Sequence, residues 1–544
     1  MHFLKAFVFL LARPATSSVP TAPGAFSPSV YTGVPAMHAF CLPNSKCVFV
    51  DKVENFTFAH LSNGQYAYSV EYDPVTGTQV PLTLKSNAFC AAGVLLANGK
   101  YLLVGGNAPL PDVDPTVGDG FRSIRYLDHP ADGSRDGAGW DEFKWQLDTP
   151  RWYPTTILLN NSMVLVVSGS RNGLDPRNST NNNPTYEILN ENGYPMGTSF
   201  PSKLLIENQP AFMYPIVFLL SDGLVLMCVS RNCVVHDPIA NATVRALPVI
   251  PGAVRTYPNA GGSALLPLAS FNNWKSDILI CGGGNTQDLT SESDPTCVRI
   301  DPYDPAAQWQ IDNMGQGRVM GNIVLHPNGN ITIVNGANQG AEGYKLARYP
   351  VQDALAYKYQ MPLGQRITKT ARSSIPRLYH SVTFIDDQGL THIAGSNPNE
   401  QPVLVPNDEN PYPTEFRSEI YRTDCQLDQN AWNKRPRNVT VANTAWPTLA
   451  TTGGASQKVT FWAPSRGSNL MVSLEYGGFS THGLTMANRL IHLDYTGFIP
   501  NSKWGVQNIS VTPPPNHNVT PRGWYRLWIV VDCVNSDATW IQIL

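Results

Sequence analysis

Ala92-Gly93-Val94-Leu95-Leu96-Ala97-Asn98-Gly99, followed by Leu102-Leu103-Val104-Gly105-Gly106, is the clearest copy of a pattern that recurs along this chain. Two apolar runs joined by an Asn-Gly turn, with a pair of glycines after the second run, are typical of a β-hairpin. The pattern occurs seven times, in copies that begin near residues 37, 92, 155, 215, 262, 321 and 380. A spacing of roughly 50–65 residues is typical of repeat architectures, so the hairpins are units of one larger fold.

The repeat predicts an all-β protein that begins with a seven-bladed, kelch-like β-propeller, which we place at residues 35–415. One blade cannot bury both of its faces, whereas seven blades packed radially can. The alternative, a series of β-sandwiches, needs no fixed repeat of this length. From residue 416 to residue 544, short alternating strands separated by Pro and Gly predict an immunoglobulin-like β-sandwich. The run from Thr414 to Tyr421 either closes the ring as an outer strand or begins this second domain.

The composition and the N-terminus indicate a secreted protein. Charged residues make up 15% of the 544 residues and the net charge is −3, so we expect no nucleic-acid partner. Residues 1–18 combine a short charged region with an apolar run and then small residues, which predicts a signal peptide. We expect no membrane anchor, because the apolar run is too short to span a bilayer. Asn-x-Ser/Thr sequons support secretion; they start at Asn55, Asn160, Asn178, Asn241, Asn330, Asn438, Asn508 and Asn518.

The nine cysteines leave one without a partner. Proximity along the chain suggests the local pairs Cys41/Cys47, Cys228/Cys233 and Cys281/Cys297, and Cys425 with Cys533 would tie the ends of the C-terminal domain. Cys90 remains, and an odd cysteine in a secreted protein indicates a specific use for that thiol.

Tyr379 and His380 place a phenol beside an imidazole just before the seventh hairpin. Adjacent side chains on an extended backbone point to opposite faces, so a common site requires a turn at this point. Cys90 and Tyr153 precede the second and third hairpins at the same phase of the repeat, so we expect them at the same end of the propeller. His482 would reach this place from the second domain.

Five motifs together resemble the copper radical oxidases, the glyoxal oxidase and galactose oxidase group, over nearly the whole chain from about residue 35. The Arg-Trp-Tyr-Pro and Gly-Ser-Asn-Pro-Asn motifs are closer to the glyoxal oxidase branch. The motifs are Phe89-Cys90, Arg151-Trp152-Tyr153-Pro154, Arg377-Leu378-Tyr379-His380-Ser381, Gly395-Ser396-Asn397-Pro398-Asn399 and Ser480-Thr481-His482.

The resemblance implies a site built around one copper ion. Its ligands would be Tyr153, Tyr379, His380 and His482, and Cys90 would be joined to Tyr153 by a thioether that carries a radical. Imidazole nitrogen and phenolate oxygen suit a tetragonal Cu(II) site. Tyr379 would accept the substrate proton, the Cys90–Tyr153 radical would abstract hydrogen from carbon, and copper would take the second electron.

One position departs from the galactose-oxidising members of the family, in which an indole covers the cross-linked tyrosine. Counting along the repeat puts Arg171 near that position, where it covers the radical, contacts substrate or forms a loop salt bridge. We interpret Trp152 as packing and the remaining histidines as structural; these are His38, His60, His129, His236, His326, His392, His492 and His517.

The implied activity is oxidation of small aldehydes of the glyoxal and methylglyoxal type to carboxylic acids, with O2 reduced to H2O2. Primary alcohols or galactose are the alternative substrates. A different class, a kelch propeller that binds carbohydrate or protein without chemistry, would make the conjunction of these motifs accidental. A hydrolase of the sialidase type would need an arginine cluster and a Tyr-Glu pair that we do not find. We expect a secreted monomer that supplies H2O2 to peroxidases.

Overall fold

The computed structural model describes residues 26–128, 138–173, 175, 177–452, 455–464, 466–503 and 505–544. The predicted signal peptide, residues 1–18, and His129 lie outside the described residues. The described chain is all-β, and its helices are limited to single turns. The α-helices are Lys203–Glu207, Asp424–Leu427, Gln429–Asn433 and Leu449–Thr452, and the 3-10 helices are Ser179–Asn181 and Ser270–Asn272. Among the described residues, none of the helices has the length and apolarity needed to cross a membrane.

Seven antiparallel sheets follow one another along the chain, and all seven predicted hairpins are confirmed as the cores of these sheets. We call the strand that opens each hairpin its first strand. In chain order, the hairpins are His38–Cys41 with Cys47–Val50, Ala92–Leu95 with Tyr101–Val104, Thr155–Leu158 with Val164–Val167, Ile216–Leu219 with Val225–Val229, Gly262–Leu265 with Ile278–Cys281, Asn322–Leu325 with Ile331–Val334, and Val382–Ile385 with Thr391–Ala394.

Each hairpin is extended on its second strand by one or two outer strands. In the same order, the outer strands are Ser69–Tyr72 and Gln79–Leu82; Ile124–Leu127; Thr185–Leu189 and Pro195–Pro201; Asn232–Asp237 and Ala242–Ala246; Thr296–Ile300 and Gln310–Asn313; Asp353–Tyr357 and Ile367–Arg372; and Arg417–Tyr421 and Phe26–Tyr31. A separate two-stranded pair is formed by Ala337–Gly340 and Ala347–Pro350.

The seventh sheet joins both ends of the repeat region. Arg417–Tyr421 pairs with Thr391–Ala394 on one side and with Phe26–Tyr31 on the other. The division made from the sequence, at residues 35 and 415/416, leaves both outer strands outside the repeat region. Neither strand carries the hairpin signature, and the pairing between them joins residues almost 400 positions apart along the chain, which local pattern cannot reveal.

Buried arginines make the same contact in five of the sheets. In each case the Nη1 group donates a hydrogen bond to the backbone carbonyl of the residue that follows the second strand of a hairpin. The pairs are Arg125 with Gly105, Arg151 with Ser168, Arg255 with Gly282, Arg318 with Asn335, and Arg377 with Gly395. These bonds satisfy carbonyls at points where the ladder ends, as buried backbone groups require.

The C-terminal region forms two sheets whose apolar faces share one core. One sheet contains, in spatial order, Leu268–Ala269, Arg489–Leu493, Leu470–Tyr476, Gly523–Val531, Thr539–Ile543 and Ala445–Trp446, with Val534–Asn535 beside Gly523–Val531. The other contains Arg437–Val441, Gln457–Ala463, Gly505–Val511 and Tyr495–Thr496.

One hairpin of the C-terminal region leaves it and enters the repeat region. Phe479–Thr481 pairs with the first strand of the first sheet through Ala39 and Ser480. Its return strand, Leu484–Met486, contacts the first strands of the second to sixth sheets. The hairpin Phe479–Met486 therefore lies among the first strands of the sheets.

All four disulfides expected from proximity are confirmed: Cys41–Cys47, Cys228–Cys233, Cys281–Cys297 and Cys425–Cys533. Cys90 is free and buried.

Candidate metal centre

A repeated backbone turn positions three of the candidate residues. We call the residue two places before a first strand its pre-strand residue. Within the described residues, six pre-strand residues have a left-handed φ of 44° to 64°: Ala36, Cys90, Tyr153, Tyr214, Met320 and His380. Non-glycine residues rarely adopt this conformation, and such strain concentrates where side chains must be aimed.

The pre-strand residues of neighbouring sheets are tied to one another. The amide of Tyr153 donates to the carbonyl of Cys90 at 3.0 Å, and the amide of Tyr214 donates to the carbonyl of Tyr153 at 3.0 Å. The expectation that Cys90, Tyr153 and the Tyr379-His380 pair occupy the same phase of the repeat agrees with this arrangement. Because of the left-handed turn at His380, the adjacent side chains of Tyr379 and His380 do not point to opposite faces. Their rings stack instead, with centroids 3.7 Å apart.

His482 is delivered by the tip of the hairpin Phe479–Met486. Thr481 pairs with Leu484, so His482 and Gly483 are the two turn residues, with φ of 48° and 79°. Two left-handed residues in succession are the requirement of a type I′ turn, the tight turn that suits the strand twist. The turn holds the imidazole at the end of an inserted hairpin and not on a free loop.

The five candidate residues form one cluster. The Tyr153 and Tyr379 hydroxyl oxygens lie 2.9 Å apart, and Cys90 Sγ lies 3.3 Å from His482 Nε2. One ligand atom from each of Cys90, His380 and His482 lies within 4.8 Å of those of the other two. The His482 ring centroid is 4.8 Å from that of His380, 5.2 Å from that of Tyr379 and 5.5 Å from that of Tyr153.

Burial dominates the electrostatics of the cluster. All five side chains are at most 1% exposed. Burial raises the pKa of the Cys90 thiol and of the Tyr153 and Tyr379 phenols well above their ordinary values. Burial likewise lowers the pKa of His380 and of His482 well below the ordinary value. The imidazoles are therefore neutral and able to donate lone pairs, while the phenols require a nearby cation before they ionise at neutral pH.

These residues fit a copper ion. Within the described chain, neither ring nitrogen of the buried His380 has a hydrogen-bond partner, which is costly unless something binds there. Two imidazoles and two phenols converge on one buried point, and nitrogen and oxygen donors suit Cu(II). A dication at this point would also supply the charge that the phenolates need.

Arg171 differs from the five residues of this cluster in its burial. Its side chain is exposed, and its amide donates to the carbonyl of Asn181 at 2.6 Å. The residue before it, Ser170, exchanges backbone hydrogen bonds with Trp152, so Arg171 stands at the edge of the segment that carries Tyr153.

Aromatic side chains surround Tyr153, and two of them, Tyr214 and Tyr257, belong to none of the five motifs. The ring of Tyr257 lies 4.2 Å from that of Tyr153 at 32°, the ring of Trp152 lies at 4.9 Å, and the ring of Tyr214 lies at 5.1 Å. Tyr257 could have been found, because Arg255-Thr256-Tyr257-Pro258 repeats the spacing of Arg151-Trp152-Tyr153-Pro154.

Glu342 is a further buried residue, and it could not be selected from the sequence. It is 1% exposed, and neither carboxylate oxygen has a hydrogen-bond partner within the described residues. Burial raises its pKa well above the ordinary value, which favours the neutral carboxylic acid over the carboxylate. A single glutamate between two glycine-containing segments gives no pattern from which its burial could be predicted.

Known proteins resemble this chain over nearly its full length. Residues 37–424 match the family described as glyoxal oxidase N-terminus, and residues 435–543 match the galactose oxidase-like, Early set domain. The chain is 30% identical to aldehyde oxidase GLOX1 of Arabidopsis thaliana, in an alignment that covers 94% of this chain and 83% of that protein. It is 29% identical to aldehyde oxidase GLOX of Vitis pseudoreticulata, over 92% of this chain and 90% of that protein.

A solved structure has the same fold. It is that of a fungal alcohol oxidase of the AA5 family in complex with copper, with a TM-score of 0.73 and 17% identity, and the superposition covers 96% of this chain and 99% of that one. At this identity the likeness concerns the fold alone. The two domain matches, which together span most of the chain, and the full-length relatives show that the chain belongs to the glyoxal oxidase family of copper radical oxidases.

Proposed function

We propose that this chain oxidises small aldehydes, of the glyoxal and methylglyoxal type, to carboxylic acids and reduces O2 to H2O2. The observation that carries the proposal is the convergence of Cys90, Tyr153, Tyr379, His380 and His482 in one buried cluster. The names of the two relatives, both aldehyde oxidases, favour this substrate class. The primary alcohols suggested by the solved alcohol oxidase are the second candidate.

Tyr153, Tyr379, His380 and His482 would hold the copper ion. Copper supplies a one-electron acceptor at the site. Tyr379 accepts the proton of the substrate hydroxyl, which for an aldehyde belongs to the hydrate. Its oxygen lies 2.9 Å from that of Tyr153, so proton acceptor and redox-active phenol face the same substrate position. The closed surroundings of the cluster exclude water from these groups.

Cys90 modifies Tyr153 in this proposal. A carbon–sulfur bond forms between Sγ and the phenol ring while one S–H and one ring C–H bond break, and O2 accepts the two electrons and two protons. The amide of Tyr153 donates to the carbonyl of Cys90 at 3.0 Å, and both side chains are buried, which supports this pairing. The electron-donating sulfur makes Tyr153 easier to oxidise to a radical, and Arg171 is the candidate contact for substrate at the edge of the site.

The proposed architecture is a seven-bladed propeller followed by an immunoglobulin-like sandwich. Support comes from the seven consecutive sheets, from the contact between the first strands of the first and seventh sheets, and from the strand Phe26–Tyr31 in the seventh. With both outer strands of that sheet included, the propeller extends from residue 26 to residue 421. The second domain then has the role of inserting the hairpin that carries His482.

Secretion, release of H2O2 to peroxidases and a monomeric state complete the proposal. Four disulfides are typical of an oxidising compartment. A propeller that binds carbohydrate or protein without chemistry is the alternative of another class. It gives no purpose to the buried imidazole of His380, whose ring nitrogens have no hydrogen-bond partner among the described residues.

The test is a peroxide-release assay with copper-loaded protein over a panel of glyoxal, methylglyoxal, simple primary alcohols and galactose. We expect H2O2 from the aldehydes at the highest rates. Faster oxidation of an alcohol than of every aldehyde would overturn the substrate class. Absence of H2O2 with all substrates would overturn the enzymatic proposal and favour a binding function.

A further inference from the structure

A chain of buried hydrogen bonds leads away from His482 and ends on a backbone carbonyl. His482 Nδ1 lies 2.6 Å from Thr481 Oγ1, Thr481 Oγ1 lies 2.8 Å from His38 Nδ1, and His38 Nε2 lies 3.1 Å from the carbonyl oxygen of Ala88. His38, Thr481 and His482 are each at most 1% exposed. His38 belongs to none of the five motifs, and the sequence alone predicts a structural role for it.

The Ala88 carbonyl sets the direction of this chain. A carbonyl oxygen only accepts, so the proton of His38 must be on Nε2. His38 is fully buried and its two ring nitrogens meet a hydroxyl and a carbonyl, with no carboxylate among their described partners to balance a charge, so the ring is neutral and its Nδ1 has no proton. That nitrogen can only accept, and Thr481 is the hydroxyl that donates to it.

The position of the proton on His482 follows from the direction in which the Thr481 hydroxyl donates. Thr481 has one proton, which it donates to His38, and its oxygen then accepts from His482 Nδ1. The carbonyl of Met37, at 3.2 Å from Thr481 Oγ1, competes for the hydroxyl proton. Donation to Met37 would leave the bare Nδ1 of His38 facing an oxygen lone pair at 2.8 Å, which is repulsive.

We propose that His38 and Thr481 are positioning residues that hold His482 in the tautomer with its proton on Nδ1 and its Nε2 lone pair aimed into the cluster. The inference rests on the proposed copper site and deepens it. His482 Nε2 is the atom that lies 3.3 Å from Cys90 Sγ, so the lone pair faces the side where the metal would bind. A ligating imidazole whose other nitrogen donates to a fixed acceptor is a recurring device of metal sites.

The chain also connects the two parts of the site. Ala88 and Cys90 belong to the same segment before the second sheet, whereas Thr481 and His482 belong to the inserted hairpin. His38 lies on the first strand of the first sheet and bridges them. His380 has no such partner within the described residues, so the two imidazoles differ in how firmly the protein orients them.

The tautomer can be measured in copper-free, full-length protein. Ring nitrogen shifts of 15N-histidine-labelled protein distinguish a proton on Nδ1 from one on Nε2, and the His482 signal is assigned by its loss in His482→Gln. We expect the Nδ1–H form in the unsubstituted protein and its loss in Thr481→Val. A proton on Nε2 of His482 in the unsubstituted protein would overturn the inference, whether or not the protein is an oxidase.

Copper affinity is the second readout, measured by competition with a chelator. Thr481→Val and His38→Phe should weaken Cu(II) binding about 10–100-fold, the usual effect of losing a partner of a ligating histidine. Thr481→Ser keeps the hydroxyl and should restore most of the affinity. The same is expected of His38→Gln, because its amide can donate to Ala88 and accept from Thr481 in the same direction.

A matched control lies in the sixth sheet. His326 Nε2 and Thr332 Oγ1 form a buried hydrogen bond of 2.7 Å that does not belong to the chain of bonds at His482, so Thr332→Val should leave copper affinity unchanged. Affinity of Thr481→Val equal to that of the unsubstituted protein would overturn the positioning role. Failure of the unsubstituted protein to bind copper would instead overturn the proposed function, and the tautomer measurement would still decide the inference.

Discussion

Tyr379 and His380 occupy one site because of a single backbone angle. With an extended backbone their side chains would diverge, but the φ of 63° at His380 brings the two rings into a stack. The two neighbours then have different surroundings. Tyr379 shares a 2.9 Å hydrogen bond with Tyr153, whereas His380 has no partner for its ring nitrogens within the described residues. This difference suits a proton acceptor beside a metal ligand.

Replacing Tyr379 by Phe should separate these roles. The variant keeps the ring stack and three of the four candidate ligands, so we expect copper to remain bound and the Cys90–Tyr153 cross-link to form. Turnover should fall by about 10²–10⁴, the usual contribution of a positioned proton acceptor. Copper content, peptide mapping and peroxide release measure the three outcomes.

Tyr344→Phe is the matched control for this variant. The ring of Tyr344 lies 6.0 Å from that of Tyr379, but we assign its phenol no part in the reaction. The variant Tyr344→Phe should therefore retain most of the turnover of the unsubstituted protein. Loss of copper from Tyr379→Phe would show that the roles of Tyr379 and His380 have been assigned wrongly.

At the residue scale, the sequence predicted the members of the cluster and not their surroundings. Cys90, Tyr153, Tyr379-His380 and His482 each stand in a recognisable motif. Tyr257, which packs on Tyr153, and His38, which orients His482 through Thr481, act across sheets that are distant in sequence. The spacing Arg-x-Tyr-Pro around Tyr257 could have been recognised, whereas no local pattern marks His38. The contacts that these two residues make are identified by the structure.

At the scale of elements, the hairpin Phe479–Met486 is the part on which the site depends most. Its turn, His482-Gly483, is pressed against the segment before the sixth sheet. A Cβ on Gly483 would meet Met320 Cα at 3.1 Å and the carbonyl oxygen of Gly321 at 3.2 Å, where φ is already +79°. Neither contact is with a flexible side chain, so the turn itself would have to move.

Gly483→Ala should therefore weaken copper binding, because His482 moves with the turn. Gly364→Ala is the matched control: its φ is +81°, and nothing lies within 4 Å of the added Cβ. Both variants carry the cost of a left-handed alanine, about 1 kcal/mol, but only Gly483→Ala adds the steric contact. Equal copper affinities in the two variants, measured by chelator competition, would contradict the role of the hairpin.

The elements themselves show where local pattern is sufficient. All seven hairpins could be predicted, because each is a short apolar–turn–apolar unit with partners adjacent in sequence. The outer strands Phe26–Tyr31 and Arg417–Tyr421 could not be assigned, since their pairing joins the two ends of the repeat region. The insertion of Phe479–Met486 could be expected only from the need to bring His482 to the other candidate ligands.

At the scale of the whole molecule, buried neutral histidines make stability depend on pH. Burial lowers the pKa of His326 and of His492 to about 4 each. Each remains neutral in the folded protein while its unfolded form, with a pKa near ~6.5, binds a proton. The unfolded state therefore gains protons first as pH falls, and stability decreases from about pH 6.5 towards pH 4.

His326→Gln should reduce this dependence. Between about pH 6.5 and 4, one such group contributes about 1.4 kcal/mol per pH unit to the slope of the unfolding free energy. The variant is expected to be less stable at pH 7 and to show a slope smaller by that amount in denaturant unfolding of copper-free protein. If the unfolding free energy of the variant depended on pH as steeply as that of the unsubstituted protein, His326 would not be neutral in the folded state.

The central claim is that Cys90 and Tyr153 form one redox unit, and peptide mapping tests it most directly. Copper-loaded protein exposed to O2 is reduced at its disulfides, alkylated, digested and examined by mass spectrometry, with Cys90→Ser as the control. We expect a linked pair of peptides containing Cys90 and Tyr153, two hydrogens lighter than the sum of the separate peptides, and we expect the control to lack it. A freely alkylated Cys90 thiol in the copper-loaded, O2-exposed protein would contradict the central claim.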